Sequence, residues 1–267
     1  MASNLSSIGF VFESAEDFQT RAIALAGQTR ERFSCEACEY AIWRSRTGAE
    51  LWFHLAGAEG EAGASEIIGL TPFFEGQSAI ALRITAAIER PEDNAHEGLL
   101  YGWVLSDGKI GGDAYPLVFD AIDFAAHAGR QLPAVWSCRI CGFCRDLKLH
   151  ATADTLPELG GGTRIAPQAF IPLGLFGDGD ADAGTSAAAP VDNDNDTPPE
   201  PIALLTGIVR AHKTLTNEAS GRMFHWMRVE SLIATFDLVA DPEIVCGTIE
   251  EGAIVETIAW LFGRVLE

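Results

Sequence analysis

The chain has 267 residues, of which 48% are hydrophobic and 21% charged, so it is long enough and apolar enough to bury one or two globular cores. Its 38 acidic and 18 basic residues give a net charge of −20, which repels nucleic-acid phosphates and anionic membrane surfaces. No apolar stretch reaches the ~18 residues of a membrane span, and residues 1–9 lack signal-peptide features, so we expect a soluble cytoplasmic protein without a membrane partner. We expect a nucleic-acid partner only if one face of the protein is locally basic.

The first part of the chain predicts one helix and several strands. Residues 3–12 contain alternating apolar positions and favour a strand. Ser14 is a suitable N-cap for a helix that continues to about residue 30. Glu16 and Asp17 suit the first turn of this helix, and apolar residues recur on one of its faces. Further strands are expected at residues 38–44, 51–55, 67–74 and 78–88.

A similar order of elements recurs in the next part of the chain. The predicted elements are a strand at 99–105, a helix at 115–129, and extended segments at 135–149 and 165–176. In both parts a helix is followed by a cysteine pair and then by a strand that carries a proline. We infer a degenerate duplication of about 100 residues per copy, with halves at about 1–95 and 96–176.

The last third of the chain divides into a linker and a β module. Residues 177–200 contain seven acidic residues and no basic one, and they cannot bury enough apolar surface to offset their ordering entropy. Residues 201–267 then predict four or five strands, with a turn at residues 216–221.

This β module resembles small five-stranded barrels of the OB type. The residues that carry the resemblance are Thr206-Gly207-Ile208-Val209, Phe224-His225-Trp226, residues 233–240 and residues 260–265. We therefore predict an α+β protein with three parts. They are a duplicated α+β domain at 1–176, an acidic disordered linker at 177–200, and an OB-like β-barrel at 201–267.

Five of the six cysteines lie in or beside two matching stretches, residues 33–38 and 136–141, each of which reads aromatic-Ser-Cys-x-x-Cys. Two such pairs suit a tetrahedral zinc site of four thiolates, and zinc is the one cofactor that the sequence suggests. The candidate ligands are Cys35, Cys38, Cys138 and Cys141. Buried structural thiols and a redox pair are the alternatives, since cysteines in the cytoplasm are ordinarily reduced.

A second metal arrangement involves a histidine. His54 with Glu50 and Glu66 could form a His–carboxylate site, and this arrangement resembles the vicinal-oxygen-chelate enzymes, which pair duplicated halves around a metal. The sequence contains no nucleophile elbow, no phosphate-binding P-loop and no dinucleotide fingerprint. We nominate no catalytic residue.

Three functions remain from the sequence. The first is a non-catalytic binding or assembly protein that recognises a protein or a small ligand and that could form homo-oligomers. The second is a zinc-stabilised or zinc-dependent protein. The third is an oligonucleotide-binding module, in which a basic hairpin and two aromatic residues contact bases and phosphates. Its candidate residues are Arg210, Lys213, Phe224, Trp226 and Arg228.

Overall fold

The computed structural model describes residues 3–35, 38–56, 66–90, 94–105, 115–160, 163–175 and 198–266. The structure is 55% strand and 14% helix, and its described residues include a single α-helix. The predicted α+β fold with two duplicated halves is therefore wrong. Most of the predicted linker, up to residue 197, lies outside the described residues, as do Glu36 and Ala37 of the first cysteine stretch.

The α-helix, α1, spans Ala15–Gln28, as the sequence predicts. The Ser14 hydroxyl accepts a hydrogen bond from the Asp17 backbone N–H at 3.1 Å, which satisfies one of the free donors of the first turn. The buried face of the helix comprises Ala22, Leu25 and Ala26. The helix ends at Thr29, whose backbone is extended.

The strand predicted at residues 3–12 is wrong, because Ser6–Ile8 form a 3-10 turn. Ser3 and Ser6 exchange hydrogen bonds between side chain and backbone, which favours a turn over an extended chain. Gly9 closes the turn at φ 81°, a left-handed conformation that glycine adopts without strain.

Four antiparallel strands follow in a simple meander: β1 Glu31–Cys35, β2 Cys38–Arg44, β3 Ala49–Ala56 and β4 Glu66–Phe74. All seven residues of β3 from Ala49 to Leu55 are buried. Because successive side chains of a strand point to opposite faces, this four-stranded sheet is covered on both sides.

The remaining strands are β5 Ile80–Glu89, β6 Gly98–Val104, β7 Tyr115–Ala121, β8 Ala134–Cys144, β9 Leu147–His150, β10 Glu158–Gly160, β11 Thr163–Arg164, β12 Ala169–Ile171, β13 Ile202–Thr216, β14 Met223–Glu230, β15 Thr235–Ala240, β16 Val245–Cys246 and β17 Ile254–Leu266. Strands β10 and β11 pair only with each other, and the others form one 11-stranded sheet.

This large sheet contains two closed rings of five strands. In the first ring β5, β6 and β7 form an antiparallel meander, β7 pairs in parallel with β17, and β17 returns through β8 to β5. In the second ring β13, β14 and β15 form the meander, β15 pairs in parallel with β8, and β8 returns through β17 to β13. The two rings therefore share the antiparallel pair β8–β17.

A repeat is present, but not where the sequence predicts it. Residues 80–144 and 202–266 each contain a three-stranded meander, a 3-10 turn and a long final strand. In each unit the long strand pairs with the first strand of its own unit, whereas the third strand pairs with the long strand of the other unit. The third strands also carry buried aspartates in matching places, because Asp120 lies opposite Phe262 and Asp237 lies opposite Cys141.

The predicted separate OB-like barrel is also wrong, because the strands of residues 201–267 do not form a closed ring by themselves. Its strands close into a ring only with β8, which comes from residues 134–144 on the other side of the predicted linker. Strands from both sides of that linker thus belong to one sheet.

The helix predicted at residues 115–129 is also wrong. This segment forms β7 and a short 3-10 turn at Phe124–Ala126. Consecutive residues Leu117, Val118 and Phe119 are buried, because Leu117 and Phe119 pack in the core of the rings and Val118 packs with Leu99 and Tyr101 on the opposite face. A strand that is covered on both faces lacks the polar alternation that distinguishes a strand from a helix.

Two large hydrophobic clusters and a small one, formed by Leu99, Tyr101 and Val118, hold the described elements together. The ring cluster fills the inside of the two rings and includes Leu82, Phe119, Ile140 and Leu205. The sheet cluster joins α1 and the four-stranded sheet to outward-facing side chains of the rings. It includes Leu25, Phe53, Phe143 and Phe262. Among the helices that the structure describes, none is long and apolar enough to cross a membrane.

Candidate functional site

The structure does not bring the four predicted zinc ligands together. Cys35 and Cys38 are joined in a disulfide at the end of the β1–β2 hairpin. Cys138 belongs to the ring cluster and Cys141 to the sheet cluster, so the two side chains point to opposite faces of β8. Residues three positions apart in a strand cannot both reach one ion on the same side. In the described ranges no group of three or more His, Cys, Asp or Glu side chains is placed to hold a metal.

Burial also keeps the three cysteines of β8 in the thiol form. It raises the pKa of the Cys138 and Cys141 thiols well above the ordinary value and that of Cys144 to about 12. Nucleophilic attack requires the thiolate. These three thiols are therefore core residues, and Cys246 is the exposed free thiol.

The predicted nucleic-acid residues divide into buried and exposed groups. Phe224 is 0% and Trp226 is 7% exposed, and both belong to the sheet cluster, so neither of these two rings is available to stack on a base. Arg210 forms a 2.8 Å ion pair with Glu230 at the protein surface. Lys213, on β13, lies opposite Trp226 of β14 and is exposed.

Arg228, in contrast, lines a cleft of about 490 Å³ between the two rings. The first ring contributes the beginning of β5 and the end of β6, and the second ring contributes β14 and the loop before β15. The apolar part of the lining includes Ile80, Val104, Leu105 and Ile233. Its polar part consists of Gln77, Ser78, Arg228 and Thr235.

The polar groups of the cleft are organised around a buried carboxylate. Asp237 accepts hydrogen bonds from the backbone N–H groups of Gln77 at 2.8 Å and Ser78 at 2.7 Å. Its other oxygen accepts from the Trp226 indole at 2.7 Å. Asp237 lies directly opposite Arg228 in the sheet, yet its oxygens are occupied by these three donors. These hydrogen bonds hold Gln77 and Ser78, which precede β5 in the cleft wall, against the second ring.

Two side chains of the cleft retain unused hydrogen-bonding capacity within the described part of the chain. The Arg228 guanidinium donates one long hydrogen bond, 3.4 Å, to the Gln77 side-chain oxygen. The Ser78 hydroxyl is buried and has no hydrogen-bond partner. A buried hydroxyl without a partner carries a desolvation cost, but it has no accessible surface, so Arg228 is the group of the two that a ligand can contact.

A separate polar network lies between the four-stranded sheet and the segment that precedes β6. His54 is 0% exposed, with its Nε2 atom 3.1 Å from the Thr71 hydroxyl and its Nδ1 atom 3.2 Å from the Glu97 carboxylate. The Asn94 amide nitrogen is 3.2 Å from both His54 Nδ1 and Glu97 Oε1. These contacts fit a His54 imidazole whose Nδ1–H donates to the Glu97 carboxylate and whose Nε2 accepts from the Thr71 hydroxyl.

A second histidine stacks on the first. The rings of His54 and His96 are 5.3 Å apart and nearly parallel, and Tyr40 packs edge-on against both. The Tyr40 hydroxyl donates to the His96 carbonyl at 3.2 Å. His96 is 6% exposed, and neither of its ring nitrogens has a hydrogen-bond partner within the described ranges.

Burial sets the protonation of this network. It raises the pKa of Tyr40 well above the ordinary value, which keeps the hydroxyl protonated. Burial lowers the pKa of His96, and the nearby His54 lowers it further. For Glu97 burial is the largest single effect and acts to raise the pKa, but His54, Asn94 and Arg90 together outweigh it and the pKa is lowered.

The order Thr71, His54, Glu97 has the geometry of a nucleophile, a base and an orienting carboxylate. The His54 ring is inaccessible to solvent, however, so a substrate cannot reach it in this conformation. We interpret the network as a packed group of hydrogen-bonded side chains in the protein interior.

The acids predicted to join His54 have other positions. Glu50 is 0% exposed, pairs with Arg44 at 2.7 Å and accepts from the Trp52 indole at 2.8 Å. Glu66 begins β4 and is exposed. The carboxylate at His54 is Glu97, which sequence spacing could not identify because it comes from a loop 43 residues further on.

Comparisons with protein-family models, with curated proteins and with solved structures found no match to this chain.

Proposed function

We propose that this protein is a non-catalytic binding protein and that the cleft between the two rings binds a small carboxylate with an apolar body. The observation that carries the proposal is the lining of the cleft. In a chain with 38 acidic and 18 basic residues, the described lining contains one arginine and no acid, and the Asp237 carboxylate beside it is buried and bonded to three donors.

The size and chemistry of the cleft suit such a ligand. Its volume of about 490 Å³ lies within the range of small-molecule sites, roughly 300–1,000 Å³. Ile80, Val104 and Ile233 offer an apolar wall, while the Arg228 guanidinium offers donors for an anionic group. A single guanidinium balances one negative charge, which favours a monocarboxylate over a doubly charged phosphate monoester.

The test is a binding screen that compares monocarboxylates with their neutral amides, using ligand-observed NMR and thermal shift. We expect carboxylates with a branched or aromatic body to bind and their amides to bind more weakly. Because a hydrogen bond to a charged group contributes about 1.5–3 kcal/mol, Arg228→Gln should weaken binding about 10- to 100-fold.

Arg222→Gln is the matched control. It removes the same charge from an exposed residue that lies outside the cleft lining, so it should leave the affinity unchanged. Equal loss in both variants would indicate an effect of overall charge, and it would contradict a specific site, as would a screen without any bound carboxylate.

The other predicted functions have less support. The four proposed zinc ligands lie in separate surroundings, and the aromatic residues proposed to stack on bases are buried. A protein partner, a homo-oligomer and a cytoplasmic location stay predictions from the sequence.

A further inference from the structure

The Cys35–Cys38 disulfide occupies an unusual position for a cross-link that stabilises a fold. Cys35 is the last residue of β1 and Cys38 the first residue of β2, and the two are already paired in the sheet register. The bond closes a loop with a sequence separation of three, so it removes little entropy from the unfolded chain.

The hairpin has other interactions that hold it. Strand β1 pairs with β2 over five positions, and β2 pairs with β3 over six. Phe33 contacts Tyr40 and Trp52, with ring centroids 5.8 Å apart in each case. These contacts do not depend on the disulfide, so the hairpin should persist when the bond is broken.

The two cysteines differ in exposure. Cys38 is 7% exposed and packs in the sheet cluster, whereas Cys35 is half-buried at the edge of that cluster. We therefore expect a thiolate in solution to attack Cys35 in preference to Cys38. Exchange at a disulfide depends on which sulfur is accessible to the attacking thiolate.

We propose that Cys35 and Cys38 form a thiol–disulfide exchange site, which is reduced by a small thiol or a dithiol. A thiolate of the reductant attacks Cys35, the Cys35–Cys38 bond breaks, and Cys38 leaves and takes up a proton. A second reductant thiolate then attacks the reductant sulfur of the mixed disulfide and releases Cys35. Two electrons and two protons pass to the protein cysteines, and the reductant becomes a disulfide.

The other cysteines do not compete for this role. Cys138, Cys141 and Cys144 are buried, and burial keeps them as thiols. Cys246 is exposed and unpaired, so it can form mixed disulfides but cannot close an internal one with the buried three. The experiments therefore use a Cys246→Ser background.

The first experiment follows the wild-type pair in glutathione redox buffers by mass spectrometry of alkylated peptides. We expect a reversible gain of two thiols, at Cys35 and Cys38, while the circular dichroism spectrum of the folded protein is unchanged. Failure of dithiothreitol to reduce the bond in folded protein would overturn the proposal. Reduction that occurs only together with loss of the folded spectrum would also overturn it.

The second experiment tests the asymmetry with two single variants. In Cys38→Ser the remaining Cys35 thiol should form a mixed disulfide with oxidised glutathione at least about 10-fold faster than the Cys38 thiol does in Cys35→Ser, because accessibility controls the reaction. Equal rates in two folded variants contradict the assignment. If a variant does not fold, brief reduction of the wild-type protein followed by alkylation still reports whether Cys35 is modified before Cys38.

Discussion

At the scale of single residues, His96 is a buried titratable group, and both of its ring nitrogens lack a hydrogen-bond partner among the described residues. Its ring is buried between His54 and Tyr40. Burial and the neighbouring His54 lower the pKa of His96, while the backbone of Glu39 and the charge of Glu97 oppose this shift only in part. The folded protein therefore holds this ring in its neutral form.

This arrangement predicts that acid destabilises the protein through His96. In the folded state the pKa lies below the ordinary value of about 6.5, so the unfolded chain binds the proton first as the pH falls. The contribution is fully present above about pH 6.5 and is lost as the pH falls below it. We expect the free energy of unfolding, measured with urea between about pH 8 and pH 5, to fall less steeply in His96→Phe than in the wild-type protein. His54, Glu97 and Tyr40 are retained in both proteins, so identical slopes would show that His96 does not contribute.

The residues of the cleft show what sequence can and cannot identify at this scale. Arg228 is a candidate from the sequence, because it lies in a cluster of basic residues on a predicted hairpin. Ser78 is not, because its position depends on hydrogen bonds to Asp237, 159 residues away. The Asp237 carboxylate and the segment before β5 come together only in the folded protein, where β15 pairs with β8.

At the scale of elements, local signals decide which predictions hold. The α1 helix has its own cap and an apolar face, and the hairpin of β13 and β14 has strong alternation, so both could be predicted from nearby residues. Strand β7 could not, because its two faces are covered only in the folded protein, one by the ring cluster and the other by Leu99 and Tyr101. Its apolar residues at helical spacing predict a helix until the neighbouring strands are known.

A glycine in β4 shows how closely two elements approach at the histidine network. A Cβ atom at Gly69 would lie 2.5 Å from His54 Nδ1 and 2.6 Å from Asn94 Nδ2. Gly69→Ala should therefore lower the free energy of unfolding by about 1–3 kcal/mol, because the His54 ring is held by His96 and Tyr40 and cannot move away.

The matched control for this prediction is Gly27→Ala in α1. Gly27 is exposed, and a Cβ atom there meets nothing within 4 Å. Alanine should stabilise the helix by about 0.5–1 kcal/mol, since it loses less conformational entropy than glycine on folding. Chemical denaturation of both variants gives the comparison, and a Gly69→Ala protein as stable as the wild type would contradict the packing argument.

At the scale of the whole molecule, the shared strands β8 and β17 make the two rings depend on each other. Each ring takes one long strand from either unit, and the parallel pairings β15–β8 and β7–β17 connect the units in both directions. The four-stranded sheet joins at the same place, because Glu75 forms ion pairs with Arg139 on β8 and Arg264 on β17. The sequence could not reveal this exchange of strands, because each unit taken alone has the strand pattern of a small independent domain.

The exchange predicts that the C-terminal segment does not fold alone. A fragment of residues 198–267 lacks β8, so β15 and β17 each lose a pairing partner and the ring cluster opens to water on one side. Unpaired backbone groups and an incomplete core leave too little stabilisation to offset the entropy of ordering. We expect the fragment to show no cooperative thermal transition by circular dichroism and little dispersion in its NMR spectrum. Mixed with a fragment of residues 1–176, it should recover both signals, because β8 then completes the second ring. Cooperative unfolding of the isolated fragment would contradict this prediction and would support an independent barrel, which the strand pattern of the fragment suggests.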